Sequence, residues 1–146
     1  MAEIYDVGSG IKFYNISYGV GEGMFNKTDD VMLLQWLLKH HFERSDKKAI
    51  LGNVWSVNVI NGVWGPMMSD ILKIYQYDVS LNVKGGDIPL NGKAYPIQAC
   101  GGLNKSALAQ LNLSVSGHYK QYYHSPKTDP IVYSDVKAMF DRCGVV

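Results

Sequence analysis

Long apolar runs are missing from this chain. No stretch approaches the roughly 18 residues that a membrane-crossing helix needs, so membrane insertion is not expected. Runs of a single charge are missing too. The 14 basic and 13 acidic residues leave a formal net charge of +1, and the densest cluster, Glu43 to Lys48, mixes both signs. That excludes the footprint of a nucleic-acid binder, whose affinity comes from many basic contacts with phosphate, and it excludes a polybasic membrane patch. Cysteine is scarce: Cys100 and Cys143 have neither metal-like nor redox-like spacing, which reads as two free thiols in a reducing compartment. The opening residues, Met1 to Gly10, include Glu3 and no long apolar segment, so a secretory signal peptide is not expected. The chain is expected to be made in the cytoplasm and to act beyond it only by another route, such as a secretion machine, a phage particle or lysis.

What is present fits one domain over residues 1–146, with the 47% hydrophobic content of a chain that buries a real core. Ten tyrosines are many for this length. A tyrosine covers apolar surface while its hydroxyl stays wet, so they suit either a partly wet contact surface or the solvent rim of strands.

Ile11 to Val20 is rich in β-branched and aromatic residues and reads as a strand. The glycine-punctuated segment that follows reads as a loop. Thr28 or Asp29 is placed to cap a helix over Asp30 to His41, with the acidic pair Asp29 and Asp30 at the positive end of its dipole. Val31, Leu34, Leu38 and Phe42 form its apolar stripe, widened by Leu33 and Leu37 into a heavily buried helix. Trp55, Val57 and Val59 alternate within Asn53 to Ile60, a short strand or extended segment. A second helix opens at Pro66, which tolerates the first turn because its missing N–H is not needed there, and runs to Tyr77 with Met68, Ile71, Leu72 and Tyr75 on its apolar face. Val83 to Gly102 carries paired glycines, two prolines and an Asn91-Gly92 turn signal, and reads as a hairpin-like excursion. Asn104 is placed to cap a helix over Lys105 to Asn112, with Ala107, Leu108 and Leu111 buried. Leu111, Leu113 and Val115 alternate with polar neighbours, a candidate strand that could pair with Ile11 to Tyr18. Asp129 and Pro130 are placed to open a last helix, ended by Gly144. "DDVMLLQWLL" and "SDILKIYQYD" share a helix-with-glutamine pattern, too loose to define a repeat.

Two of these segments together resemble the bacterial peptidoglycan-binding domain, a small three-helix module. Asp30, Val31, Leu34, Gln35 and Leu38 stand at the spacing of its first helix. Asn61, Gly62, Trp64, Gly65, Leu72, Tyr75 and Gln76 match or replace its glycine-turn loop and second helix, and Ser106, Ala107, Leu108, Leu111 and Asn112 are similar to its third. The likeness implies an α+β, mainly helical fold. A three-helix peptidoglycan-binding-like core would span 23–112, with 77–100 inserted as a hairpin-like excursion and 113–146 added as a C-terminal strand and helix. It also implies that Trp64 packs down among the helices, the preferred alternative to a loop that shows its indole to a ligand. The family pattern has Asp, Thr and Ala where this chain has Asn61, Met68 and Ile71.

The resemblance implies a non-catalytic binding module for peptidoglycan or a related cell-wall fragment. Its ligand contacts would come from Asn61, Gly62, Val63, Met67 and Asp70. The alternative is a structural or interaction protein on the same fold, such as a phage virion component, a secretion-system accessory or a self-assembling subunit. Tyr119, Tyr122 and Tyr123 are then the candidate contacts for a protein partner or a second copy, unless they pack on the core. No active site is legible. Neither thiol has a base and orienting group beside it in sequence. His40 and His41 point to different helix faces, His118 and His124 lie six apart, and no metal site or cofactor is expected.

Overall fold

The computed structural model describes residues 1–44, 46–51, 60–82 and 87–145. It is mainly helical with one small antiparallel sheet. The extended segment expected at Asn53 to Ile60 lies, apart from Ile60, outside the described residues.

Helix α1, Thr28–Phe42, is the centre of the molecule. Val31, Leu33, Leu34, Trp36, Leu37 and Leu38 are each fully buried, as expected of a helix apolar on nearly every face. Its N-terminus differs from the expectation. Lys27 occupies the cap position and no side chain caps it. Asp30 is instead fully buried, and its carboxylate accepts the N–H groups of Ser17 at 3.2 Å and Tyr18 at 3.1 Å. Asp29 forms a two-pronged pair with Arg142, at 2.8 and 2.6 Å. The two acids therefore fasten the N-terminal segment and the C-terminal helix onto α1.

Strands β1, Glu3–Gly8, and β2, Ile11–Asn15, form a hairpin. The strand expected over Ile11 to Val20 thus ends early, and its partner is the segment before it. The backbone N–H and C=O of Tyr14 are both taken by the side-chain amide of Asn112, at 2.8 and 2.9 Å.

Asn112 belongs to α4, Ala107–His118, which replaces the strand expected around Leu113. Leu108, Leu111, Asn112 and Val115 are buried while Leu113 is 48% exposed. The helical period therefore wins over the period of two that the same leucines also fit. Ser106 supplies the cap by accepting from Ala109 N–H; Asn104 sits in the 3-10 turn Leu103–Lys105 before it. Short helices α2, Lys48–Leu51, and α5, Lys120–His124, pack against α1 and α4 respectively.

Helix α3, Pro66–Asn82, buries Met68, Ile71, Leu72, Tyr75, Gln76 and Val79. Among the described residues after it, 87–102 form no hairpin. They turn through 3-10 geometry at Ile97–Ala99, and Ala94 makes an isolated antiparallel bridge to Val20. Helix α6, Ser134–Arg142, starts later than Asp129 and Pro130 suggest, because Asp129 is used elsewhere. Gly144, at φ +84°, does end it.

Two glutamines do the same job. Gln35 on α1 accepts Gly62 N–H at 2.8 Å and donates to Asn61 Oδ1 at 3.0 Å and to Val63 C=O at 3.3 Å. Gln76 on α3 accepts Gly92 N–H at 2.8 Å and donates to Asn91 Oδ1 at 3.3 Å and to Lys93 C=O at 2.9 Å. Each asparagine also accepts the N–H two residues on, at 3.0 Å. A buried helix glutamine thus clamps an Asn-Gly turn twice. The sequence shows it as Asn-Gly-x-x-x-Pro at Asn61 to Pro66 and again at Asn91 to Pro96. The loose helix-with-glutamine likeness is therefore half of a repeated device.

Candidate ligand pocket

The first clamp sets the direction of the chain as it enters α3. Held by Gln35, residues 61–63 deliver Trp64, Gly65 and Pro66 to the helix mouth, where Gly65 C=O accepts Ser69 N–H at 3.2 Å. Opposite lies the loop 19–27. Asn26, at φ +52°, staples it by bonding both the N–H and the C=O of Gly21, at 2.7 and 2.9 Å. The Val20–Ala94 bridge, at 2.9 and 2.8 Å, ties its other end down. Between these two walls is a pocket of about 570 Å³, lined by Glu22, Gly23 and Asn26 on the loop side and by Trp64, Gly65, Pro66, Ser69 and Asp70 on the helix side.

Trp64 is half-buried: it packs against the core and also lines the pocket. The preferred expectation of an internal plug is corrected accordingly, since the indole serves core and pocket together. A flat aromatic wall beside carboxylate, hydroxyl and amide groups suits a ligand that is polar but carries an apolar face. Glu22 and Asp70 supply its charge, and no lysine or arginine lines it.

Of the residues singled out from sequence, Asp70 lines this pocket. Asn61 spends its carboxamide on Gln35 and Val63. Gly62 is buried, with its N–H on Gln35, so its lack of a side chain serves close packing against α1. Val63 and Met67 are exposed, at 63% and 46%, outside the lining. Sequence reasoning ranked Trp64 as a ligand-facing residue second to the plug, and missed Glu22, Gly23 and Asn26 altogether. The available signal was the glycine-spaced run Gly19 to Gly23 with Asn26 just after it, a turning loop with a side chain able to staple it.

Tyr119, Tyr122 and Tyr123 turn toward the core. Tyr123 is buried and its hydroxyl donates to Asn112 Oδ1 at 2.7 Å. The rings of Tyr119 and Tyr122 lie 5.0 and 6.0 Å from that of His40. His40 in turn bonds the buried Asp129 carboxylate, which also accepts Trp36 Nε1–H at 3.0 Å and Ile131 N–H at 3.1 Å. Burial works to raise the Asp129 pKa, but the bonds from His40, Trp36 and Ile131 outweigh it and hold the carboxyl below its ordinary value.

His41 lies in a second buried group. Its Nδ1 meets Ser114 Oγ at 2.7 Å, and its Nε2 stands 3.8 Å from Asp78. The Ser114 hydroxyl also accepts Arg44 Nη1–H at 3.0 Å. Burial, then the neighbouring Arg44, pulls the His41 pKa from 6.5 to about 4, with Asp78 opposing, Lys47 adding to the fall and Asp46 opposing. The imidazole is therefore neutral at pH 7. Unfolding frees it to titrate normally, so the folded state gains from His41 above pH 6.5 and loses that gain as pH falls toward 4. At about 1.4 kcal/mol per pKa unit, the loss is on the order of 3 kcal/mol. Urea titrations of the wild type and of His41→Gln at pH 7 and pH 4.5 should show a markedly shallower pH slope in the variant. Equal slopes would mean that His41 is not the group responsible.

Both cysteines are free and half-buried. Burial, then the Asp29 charge, pushes the Cys143 thiol up to about 12, and burial raises Cys100. Among the described residues no group of three or more His, Cys, Asp or Glu could hold a metal ion, and no helix is long and apolar enough to cross a membrane. Searches against protein-family models, curated proteins and solved structures find no match to this chain.

Proposed function

We propose that this chain is a non-catalytic binding module for peptidoglycan or a related cell-wall fragment, and that the ligand sits in the pocket between loop 19–27 and the start of α3. The observation that carries the reading is the half-buried Trp64 facing that pocket, among Glu22, Asn26, Ser69 and Asp70. Support for a peptidoglycan-binding-like core comes from the order α1, α3, α4 and from the clamp of Gln35 on Asn61 and Gly62, which joins the residues that carry the resemblance. Support for a role without catalysis comes from the thiols, whose raised pKa values disfavour the nucleophilic thiolate. None of the residues lining the pocket is a histidine or a cysteine.

The alternative, a structural or interaction protein of a phage particle or secretion system, is favoured by a different surface. Tyr18 and Phe25 are 47% and 73% exposed and pack edge to face at 5.2 Å, with Lys27 Nζ 5.8 Å from the Tyr18 ring. Sedimentation with insoluble peptidoglycan separates the two readings. Wild type should co-sediment, and Trp64→Ala should lose about 1 to 3 kcal/mol of binding, a fall of roughly five- to 150-fold. Asn61→Ala should act through stability instead, because its carboxamide faces the clamp. Wild type that stays in the supernatant, or Trp64→Ala that binds equally well, would hand the case to the interaction reading and to the Tyr18–Phe25 surface.

A further inference from the structure

The polarity of the pocket is more specific than its shape. Glu22 approaches from the loop and Asp70 from α3, so the two carboxylates belong to different walls. Among the described residues neither has a hydrogen-bond or ion-pair partner. Lys27 follows the pocket residue Asn26, but its ammonium lies near the faces of Tyr18 and Phe25, at 5.8 and 6.0 Å. The Trp64 ring supplies a third feature that favours positive charge, since an indole face attracts a cation through its quadrupole. The N-terminus of α3 opposes this with about half a positive charge, against the two full negative charges of the carboxylates. Gly65 and Pro66 add an uncharged surface along which a short aliphatic stem can lie.

We infer that this pocket selects a free primary ammonium group at the end of an aliphatic stem. Resting on the wall-binding reading above, the group is the unacylated amine of the diamino acid in a peptidoglycan stem peptide, and not the sugar backbone. A neutral sugar would leave both carboxylates without a counter-charge. An ammonium brings a counter-charge to the carboxylates and gives the indole a cation.

The test compares sedimentation on peptidoglycan whose stem amines are free with the same material after N-acetylation by acetic anhydride. Acetylation should weaken binding about tenfold. Glu22→Gln/Asp70→Asn should weaken binding to native wall by a similar factor and change binding to acetylated wall little. Both positions are exposed, so the variant should fold normally, which its thermal unfolding checks. In parallel, the indole N–H signal of Trp64, assigned with Trp64→Phe, should shift with Nα-acetyl-lysine amide and stay still with Nα,Nε-diacetyl-lysine amide. Equal binding to native and acetylated wall overturns the ammonium inference and leaves the wall-binding reading standing. A shift with the lysine probe and no sedimentation on either wall overturns the wall-binding reading and leaves the ammonium site. Failure of both the wall and the lysine probe overturns both.

Discussion

Replacing Asp129 with alanine should destabilise the fold by about 3 to 5 kcal/mol, the range for stripping one partner from a buried charged hydrogen-bond group. Three donors lose their acceptor at once: Trp36 Nε1–H, His40 and Ile131 N–H. Trp36 is fully buried and His40 nearly so, so water cannot readily replace what is lost, and each orphaned donor carries its own desolvation cost. In a chain of this length the loss should lower the melting temperature by about 10 to 15 °C. Asp129→Asn keeps one oxygen acceptor but turns an NH2 toward donors, and should fall between the variant and wild type. The Asp129 pKa is held below its ordinary value, so the stabilisation exists above the unfolded carboxyl pKa and disappears as pH drops through the folded one. Thermal unfolding at pH 7 checks the first effect. A change under about 1 kcal/mol would show that the C-terminal region is not pinned through this carboxylate.

The second large effect belongs to Gly62. At φ +73°, an added Cβ would stand 2.6 Å from Thr28 Cγ2 and 3.1 Å from the Thr28 carbonyl oxygen. The left-handed backbone costs a non-glycine residue about 1 to 2 kcal/mol, and forcing atoms into a packed site adds about 1 to 3. Gly62→Ala should therefore cost about 2 to 4 kcal/mol. Gly92 occupies the matching place in the second clamp at φ +67°, but its added Cβ would meet Lys73 Cε and Ser69 Oγ, both at 3.0 Å. Those side-chain ends can move, so Gly92→Ala should cost about 1 to 2 kcal/mol less. The comparison is read by urea denaturation of both variants. Equal losses would show that Thr28 does not wall in the first turn.

These two sites also show where the sequence was legible. The helices around Leu34 and Leu72 could be read because their signals are local: an apolar stripe at helical spacing, and Pro66 at a first turn. Asp129 was misread as a helix cap for the same reason, and Asp30, which does stand in the first turn of α1, has a second use that no local rule shows. Each fits a local rule, but each is used over distance, Asp30 on Ser17 and Tyr18, Asp129 on Trp36, 93 residues away in the chain. Leu111, Leu113 and Val115 fit both a strand and a helix, and only the burial of Leu108 and Val115 against the exposure of Leu113 decides between them. The excursion expected after α3 had the right turn residues, but these serve Gln76 and the Val20 bridge instead of a hairpin. The pocket was half legible. Asp70 and the loop around Trp64 were in view, while Glu22 and Asn26 reach the same space through a glycine-shaped loop whose path no periodicity reports.

The central claim is that a ligand enters between Glu22 and Asp70 with the Trp64 indole against it. Amide and indole N–H spectra of the uniformly 15N-labelled protein, recorded while soluble muropeptides are added, test it most directly. The account predicts saturable shifts gathered at residues 22–26 and 64–70, with the Trp64 indole signal among the largest. No shifts at millimolar muropeptide, or shifts gathered instead around Tyr18 and Phe25 with the Trp64 indole signal unmoved, would contradict it.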